Sequence, residues 1–181
     1  MANVEPFDAL IDLAQKSVNN AYGLPAQVEA REEWSGVGFM LGNQRMVAPM
    51  GEVAELLEVP HWTRLPGVQS WVRGVSNVRG RLLPLVDLEA FFGSTLTGSR
   101  KRQRVLALDL GELYTGLLVK EVYGMQHFAV DTFSNEIPED LPAAIKPFVA
   151  GSYRSDMDDV WVVFSPFRLA RDQYFSNAAV N

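Results

Sequence analysis

The sequence predicts a mainly β protein, built as small barrels or a sandwich, with a helix before the strands and a short helix after them. Three observations carry that expectation. Apolar residues come in many short runs, and glycine, proline and asparagine punctuate them. No long helical period separates one run from the next, which argues against a parallel α/β sheet.

The elements follow in order. Phe7, Leu10, Ile11, Ala14, Val18 and Ala21 keep the three-and-four spacing of one helical face, and Gly23, Leu24 and Pro25 end that N-terminal amphipathic helix. Trp34 to Leu41 and Arg45 to Pro49 are expected to pair as a hairpin across Gly42 and Asn43, residue types that tolerate the positive φ of a tight turn. Further strands are expected at Val53 to Val59, Trp71 to Val78, Leu82 to Leu88, Arg104 to Leu110, Tyr114 to Tyr123, Phe148 to Tyr153 and Val160 to Phe164. Short helices are expected at Leu88 to Phe92, around Glu139 to Lys146, and from Phe167 to Phe175, where Leu169, Ala170 and Tyr174 dock one face. The parts before and after the Ser94 to Gln103 stretch have a similar layout, a hairpin and then a glycine-punctuated strand, as two small barrels sharing an interface would give.

Composition narrows the function. With 181 residues, 48% hydrophobic and 21% charged, the chain can bury a sizeable core without metals or disulfides. It has no cysteine, which removes thiol nucleophiles, zinc fingers and redox motifs together. No basic cluster followed by an apolar run opens the chain, and no apolar run is long enough to span a bilayer, so a cytoplasmic protein without direct membrane insertion is expected. A formal net charge of −6 repels phosphate backbones, so nucleic acid is not an expected partner. The basic run Arg100, Lys101, Arg102 and Arg104 reads as a solvated linker, since no aromatic residues are interleaved with it.

A search for reaction chemistry finds little. His61 and His127 are far apart and flanked by apolar or aromatic neighbours, which suits structural roles better than a metal or general-base role. Gly74-Val75-Ser76-Asn77-Val78 lacks the second glycine of a nucleophile elbow, and no helix follows it. Asp156, Asp158 and Asp159 lack the glycine and distal glutamate of a calcium loop. No phosphate-binding glycine motif occurs, and no cofactor or metal is expected. A hydrolase or transferase using Ser76, Asp87 or His127 stays as a weaker alternative, as does an SH3-like module binding unrelated peptides.

The most informative segment runs from Leu65 to Leu88. Pro66 and Gly67 make a turn, an apolar strand follows, Asn77 to Gly80 make a tight corner, and a second strand carries Pro84, read as an edge position, and ends at Asp87. Arg79 sits between two apolar strands, and Glu52 is the carboxylate expected to pair with it.

This segment resembles the CheW family of chemotaxis coupling proteins, with its leucine-proline start, its asparagine-x-arginine-glycine corner and its proline then valine-aspartate-leucine close. The likeness continues through Arg104 to Leu108, Gly116 to Val122 and Val149 to Gly151. Trp34 to Phe39, Ala48 to Val53 and Gly124 to Phe128 resemble, within the family, the members serving type IV pili and twitching motility. The resemblance implies two five-stranded SH3-like β-barrels over residues 34–175, after a helix and connector at 1–33 and before a tail at 176–181. It also implies a non-enzymatic adaptor that bridges the cytoplasmic hairpin of methyl-accepting chemoreceptors to the regulatory domain of a CheA-type histidine kinase, itself of the same fold. Carried across residue by residue, Met50, Glu52 and Gly74 would face the kinase. The receptor hairpin would dock between barrels near Arg79, Val105, Val119 and Val122, while Pro66, Gly67, Asn77, Gly80 and Asp87 shape the segment. Where the family usually has aspartate, this chain has Lys120, which reverses the charge beside that groove.

Overall fold

The computed structural model describes residues 32–111 and 113–179. The amphipathic stretch from Phe7 to Ala21 lies outside the described residues. Two curled sheets make up the rest. The first has strand order β8-β1-β2-β11-β10-β9 and the second β3-β6-β7-β5-β4. The strands are β1 (Glu33–Leu41), β2 (Gln44–Pro49), β3 (Glu55–Glu58), β4 (Val72–Val78), β5 (Arg81–Asp87), β6 (Arg104–Leu110), β7 (Leu113–Val119), β8 (Glu121–Ala129), β9 (Phe133–Ser134), β10 (Val149–Arg154) and β11 (Val160–Phe164). Three short helices accompany them: α1 (Leu88–Phe91), α2 (Pro166–Ala170) and α3 (Gln173–Ser176).

The first sheet takes its strands from both ends of the described chain, and the second takes the middle. β2 pairs in parallel with β11, Met46 opposite Val162, and β5 pairs in parallel with β7, Leu85 opposite Gly116. The Ser94 to Gln103 stretch therefore lies between α1 and β6, inside the second sheet, and does not divide one barrel from the other.

Alternation along the strands fills three apolar layers. Phe39, Met46 and Phe164 from the first sheet meet Leu106, Leu117 and Val119 from the second in the largest cluster, which joins the two sheets. Each such side chain contributes about 1.5–3 kcal/mol by leaving water. The other face of the first sheet closes on Val47, Phe128, Tyr153, Trp161 and Val163, with Trp34 stacked on Tyr153 at 4.8 Å between centroids. β1 makes room for these rings with glycine: a Cβ on Gly38 would stand 2.8 Å from Trp161 Cζ3, and one on Gly36 2.6 Å from Val47 Cγ2. Leu83, Leu85, Val105, Ala107 and Leu118 fill the second sheet in the same way.

Four local expectations are corrected. The run from Tyr114 to Tyr123 is two strands, because the chain turns at Lys120 between β7 and β8 and leaves one sheet for the other. Around Glu139 to Lys146 the backbone makes turns and a 3-10 segment at Lys146–Phe148, since Pro138, Pro142 and Pro147 withhold the amides a helix needs. The tail breaks into two helices at Asp172, whose side chain accepts from Phe175 N at 2.8 Å; Phe175, stacked on Trp71, docks there while Tyr174 stays exposed. Pro84 sits on β5 between β7 and β4, not at an edge. Its carbonyl accepts from Thr115 Oγ1 on the β7 side, where backbone pairing begins one residue later, so the missing amide interrupts no ladder.

Candidate functional site

The β4–β5 corner is a two-residue hairpin loop, Val78 facing Arg81, with positive φ at both Arg79 (53°) and Gly80 (83°). Such a loop matches the right-handed twist of the strands. Asn77 Oδ1 accepts from Gly80 N at 2.8 Å and locks it. Arg79 is thereby thrust outward, and its carboxylate partner is Glu55 on β3, not Glu52. The correction has a geometric cause: β3 and the corner belong to one sheet, whereas Glu52 turns back toward α2. Because the Arg79 side chain is 77% exposed and the left-handed region suits asparagine, Arg79→Asn is expected to change unfolding free energy by no more than about 0.5 kcal/mol, measured in urea.

Met50 and Glu52 stand on a 3-10 turn after β2, Met50–Glu52, with Met50 42% exposed. Gly74 is buried in β4 at a register shift, its φ at 141°, under the Thr63 backbone. The Thr63 and Arg64 backbone covers it, so Gly74 is a packing position under the 61–65 segment. Val105 and Val119 are fully buried, one inside the second sheet and the other between the sheets. Val122 is half-buried, on β8. Lys120 and Gly98 lie together, the Lys120 side chain passing 3.6 Å from where a Gly98 Cβ would be, which places the basic loop Arg100 to Arg104 next to Lys120.

Asp87 is fully buried and does two jobs. Its Oδ1 accepts from Ala90 N at 3.0 Å, capping α1, and its Oδ2 takes Arg73 through Nε at 3.0 Å and through the neighbouring guanidinium nitrogen. Gly67 has φ 68° behind Pro66, the geometry a proline-glycine turn requires, and Val68 bridges to Ala179.

The alternative chemistry does not assemble. Ser76 donates to the His61 carbonyl at 2.7 Å on the second sheet, Asp87 is held by Arg73, and His127 is on the first sheet. His127 has its own neighbours, Ser35 Oγ at 2.8 Å and Glu33 at 3.8 Å, but both address Nδ1, whereas a relay needs one partner on each ring nitrogen. The acidic loop is tied to arginines, Asp158 to Arg154 at 2.8 Å and Asp159 to Arg45. Among the described residues no group of three or more histidines or carboxylates is placed to hold a metal ion. An open hollow of about 480 Å³ beside β9 and β10 includes Asp140 and Arg154, but Gln44 and Asp158 engage them. Burial raises the phenols of Tyr123 and Tyr153, and the hydrogen bond to Asp109 raises Arg81, all away from neutral pH. No helix among the described residues is long and apolar enough to cross a membrane.

The curled sheets spend their interiors on packing and place Met50, Arg79 and Phe167 at the surface. A CheW-like domain model matches residues 35–173. The chain is 50% identical over 181 residues to Protein PilI of Pseudomonas aeruginosa, covering 99% of this chain and 100% of that protein. It is 29% identical over 102 residues to Protein FrzA of Myxococcus xanthus, covering 56% and 64% of the two chains. The crystal structure of the scaffolding protein TtCheW from Thermoanaerobacter tengcongensis shares the fold, with a TM-score of 0.63 and 22% identity over 74% of this chain and 89% of that one. The chain belongs to the CheW-like domain family.

Proposed function

We propose that this chain is a non-catalytic coupling adaptor of a chemosensory array, on the cytoplasmic side of the membrane, and that the array controls type IV pili and twitching motility. One surface binds the regulatory domain of a CheA-type histidine kinase, another binds the cytoplasmic hairpin of a methyl-accepting chemoreceptor, and simultaneous binding couples their states. The observation that carries this reading is the 50% identity with PilI along the whole chain, supported by a matching family model. The kinase-facing surface centres on exposed Met50, and the receptor-facing one includes the exposed Arg79 corner.

Pairwise titration against each purified partner tests the proposal. Met50→Asp is expected to weaken binding of the kinase regulatory domain at least roughly tenfold while leaving the receptor hairpin bound, because a carboxylate replaces an apolar contact on an exposed turn. Equal affinity of wild type and variant would move the kinase contact elsewhere, and absence of binding to either partner would end the adaptor reading.

A further inference from the structure

Glu52 is engaged inside the molecule. Its Oε2 accepts from Ser165 Oγ at 3.0 Å and from Phe167 N at 2.7 Å, partners 113 and 115 positions away in sequence. Ser165 is the N-cap of α2, its own Oγ accepting from Arg168 N at 3.3 Å. The Phe167 amide belongs to the first turn, whose donors have no acceptor within the helix, so Glu52 completes the cap from a distant turn. The consequence is positional. The Met50–Glu52 turn and the first turn of α2 are clamped together, and each carries an exposed apolar side chain, Met50 at 42% and Phe167 at 46%. The Arg171 guanidinium, 4.5 Å from the Phe167 ring centroid, steadies that ring from its own helix end.

We propose that Glu52 is a positioning residue and not a partner contact: it clamps the Met50 turn to α2, so that Met50 and Phe167 form one surface for the kinase regulatory domain. Phe167 is then a second apolar contact. The inference rests on the kinase-binding reading above. Because both hydrogen bonds end on one oxygen, the amide oxygen of glutamine can accept both, whereas alanine accepts neither. A carboxylate that met a cation of the partner would not be replaced by glutamine.

The full chain, as wild type, Glu52→Gln, Glu52→Ala and Phe167→Ala, is titrated calorimetrically with the purified regulatory domain of a CheA-type kinase. Melting temperatures and hydrogen exchange of the Phe167 amide by NMR accompany each titration. Glu52→Gln is expected to bind within about threefold of wild type and keep the amide protected. Glu52→Ala is expected to lose that protection and bind at least roughly tenfold more weakly, and Phe167→Ala to weaken binding roughly tenfold with the fold intact. Glutamine as damaging as alanine would overturn the proposal, since the charge itself would then be read by the partner. So would wild-type affinity in Glu52→Ala or Phe167→Ala. If the wild type fails to bind while its Phe167 amide is protected, the kinase-binding reading fails and the presenting role falls with it; in the other failures the wild type still binds.

Discussion

Gly74→Ala is expected to lower the stability of the folded domain by about 3 kcal/mol, roughly a 10 °C fall in melting temperature for a chain of this size. The cause is backbone against backbone. A Cβ at this position would stand 2.1 Å from the Thr63 carbonyl oxygen and 2.8 Å from its carbon, and the φ of 141° is one that L side chains rarely adopt. Neither atom can yield easily, because Thr63 and Val75 exchange two hydrogen bonds of 2.8 and 2.9 Å that fix the 61–65 segment over β4. Thermal melts and urea titrations measure the loss. The same variant separates support from contact: binding of a kinase regulatory domain, corrected for the folded fraction, is expected to stay at the wild-type value. A deficit per folded molecule would make Gly74 part of the interface itself.

Gly74 also illustrates what a one-dimensional reading can reach. Local chemistry was legible: Asn77 and Gly80 announce a left-handed corner, glycine and asparagine mark the β1–β2 turn, and β6 and β11 have the bounds their apolar runs indicate. Those features depend on neighbours in sequence. Features that depend on distant strands were not legible. The parallel pairings of β2 with β11 and β5 with β7 place β6 and β7 between other strands with both faces covered, so Val105 and Val119, each in a continuous apolar run, are in the core. Glu52 and Glu55 differ by three positions, but Glu52 ends the 3-10 turn and Glu55 opens β3, so one faces α2 and the other faces the Arg79 corner. The Phe167 contribution to the candidate surface had no sequence signal, since the bond that places it spans 115 residues.

The other large effect is expected at Asp87, where one fully buried carboxylate serves two elements through different oxygens. Asp87→Ala removes the cap of α1 and leaves Arg73 without its partner, with an expected cost of about 3 kcal/mol. The cost stays below the upper range for buried pairs because the Arg73 side chain is 40% exposed, so water can solvate the released cation. Asp87→Asn should fall between alanine and wild type: an amide has one acceptor oxygen and can satisfy Ala90 N or Arg73, not both. Arg73→Met keeps the cap and the apolar stem while stranding the anion, and the Arg73→Met/Asp87→Asn double variant closes a cycle with an expected coupling of about 2 kcal/mol, read from urea unfolding. A coupling near zero would mean that Asp87 acts through the cap alone. The distinction reaches function, because α1 packs beside β7, and Phe91 meets Trp71 and Phe175 edge-on. Loosening α1 therefore loosens the tail helices, and with them the segment that carries Phe167.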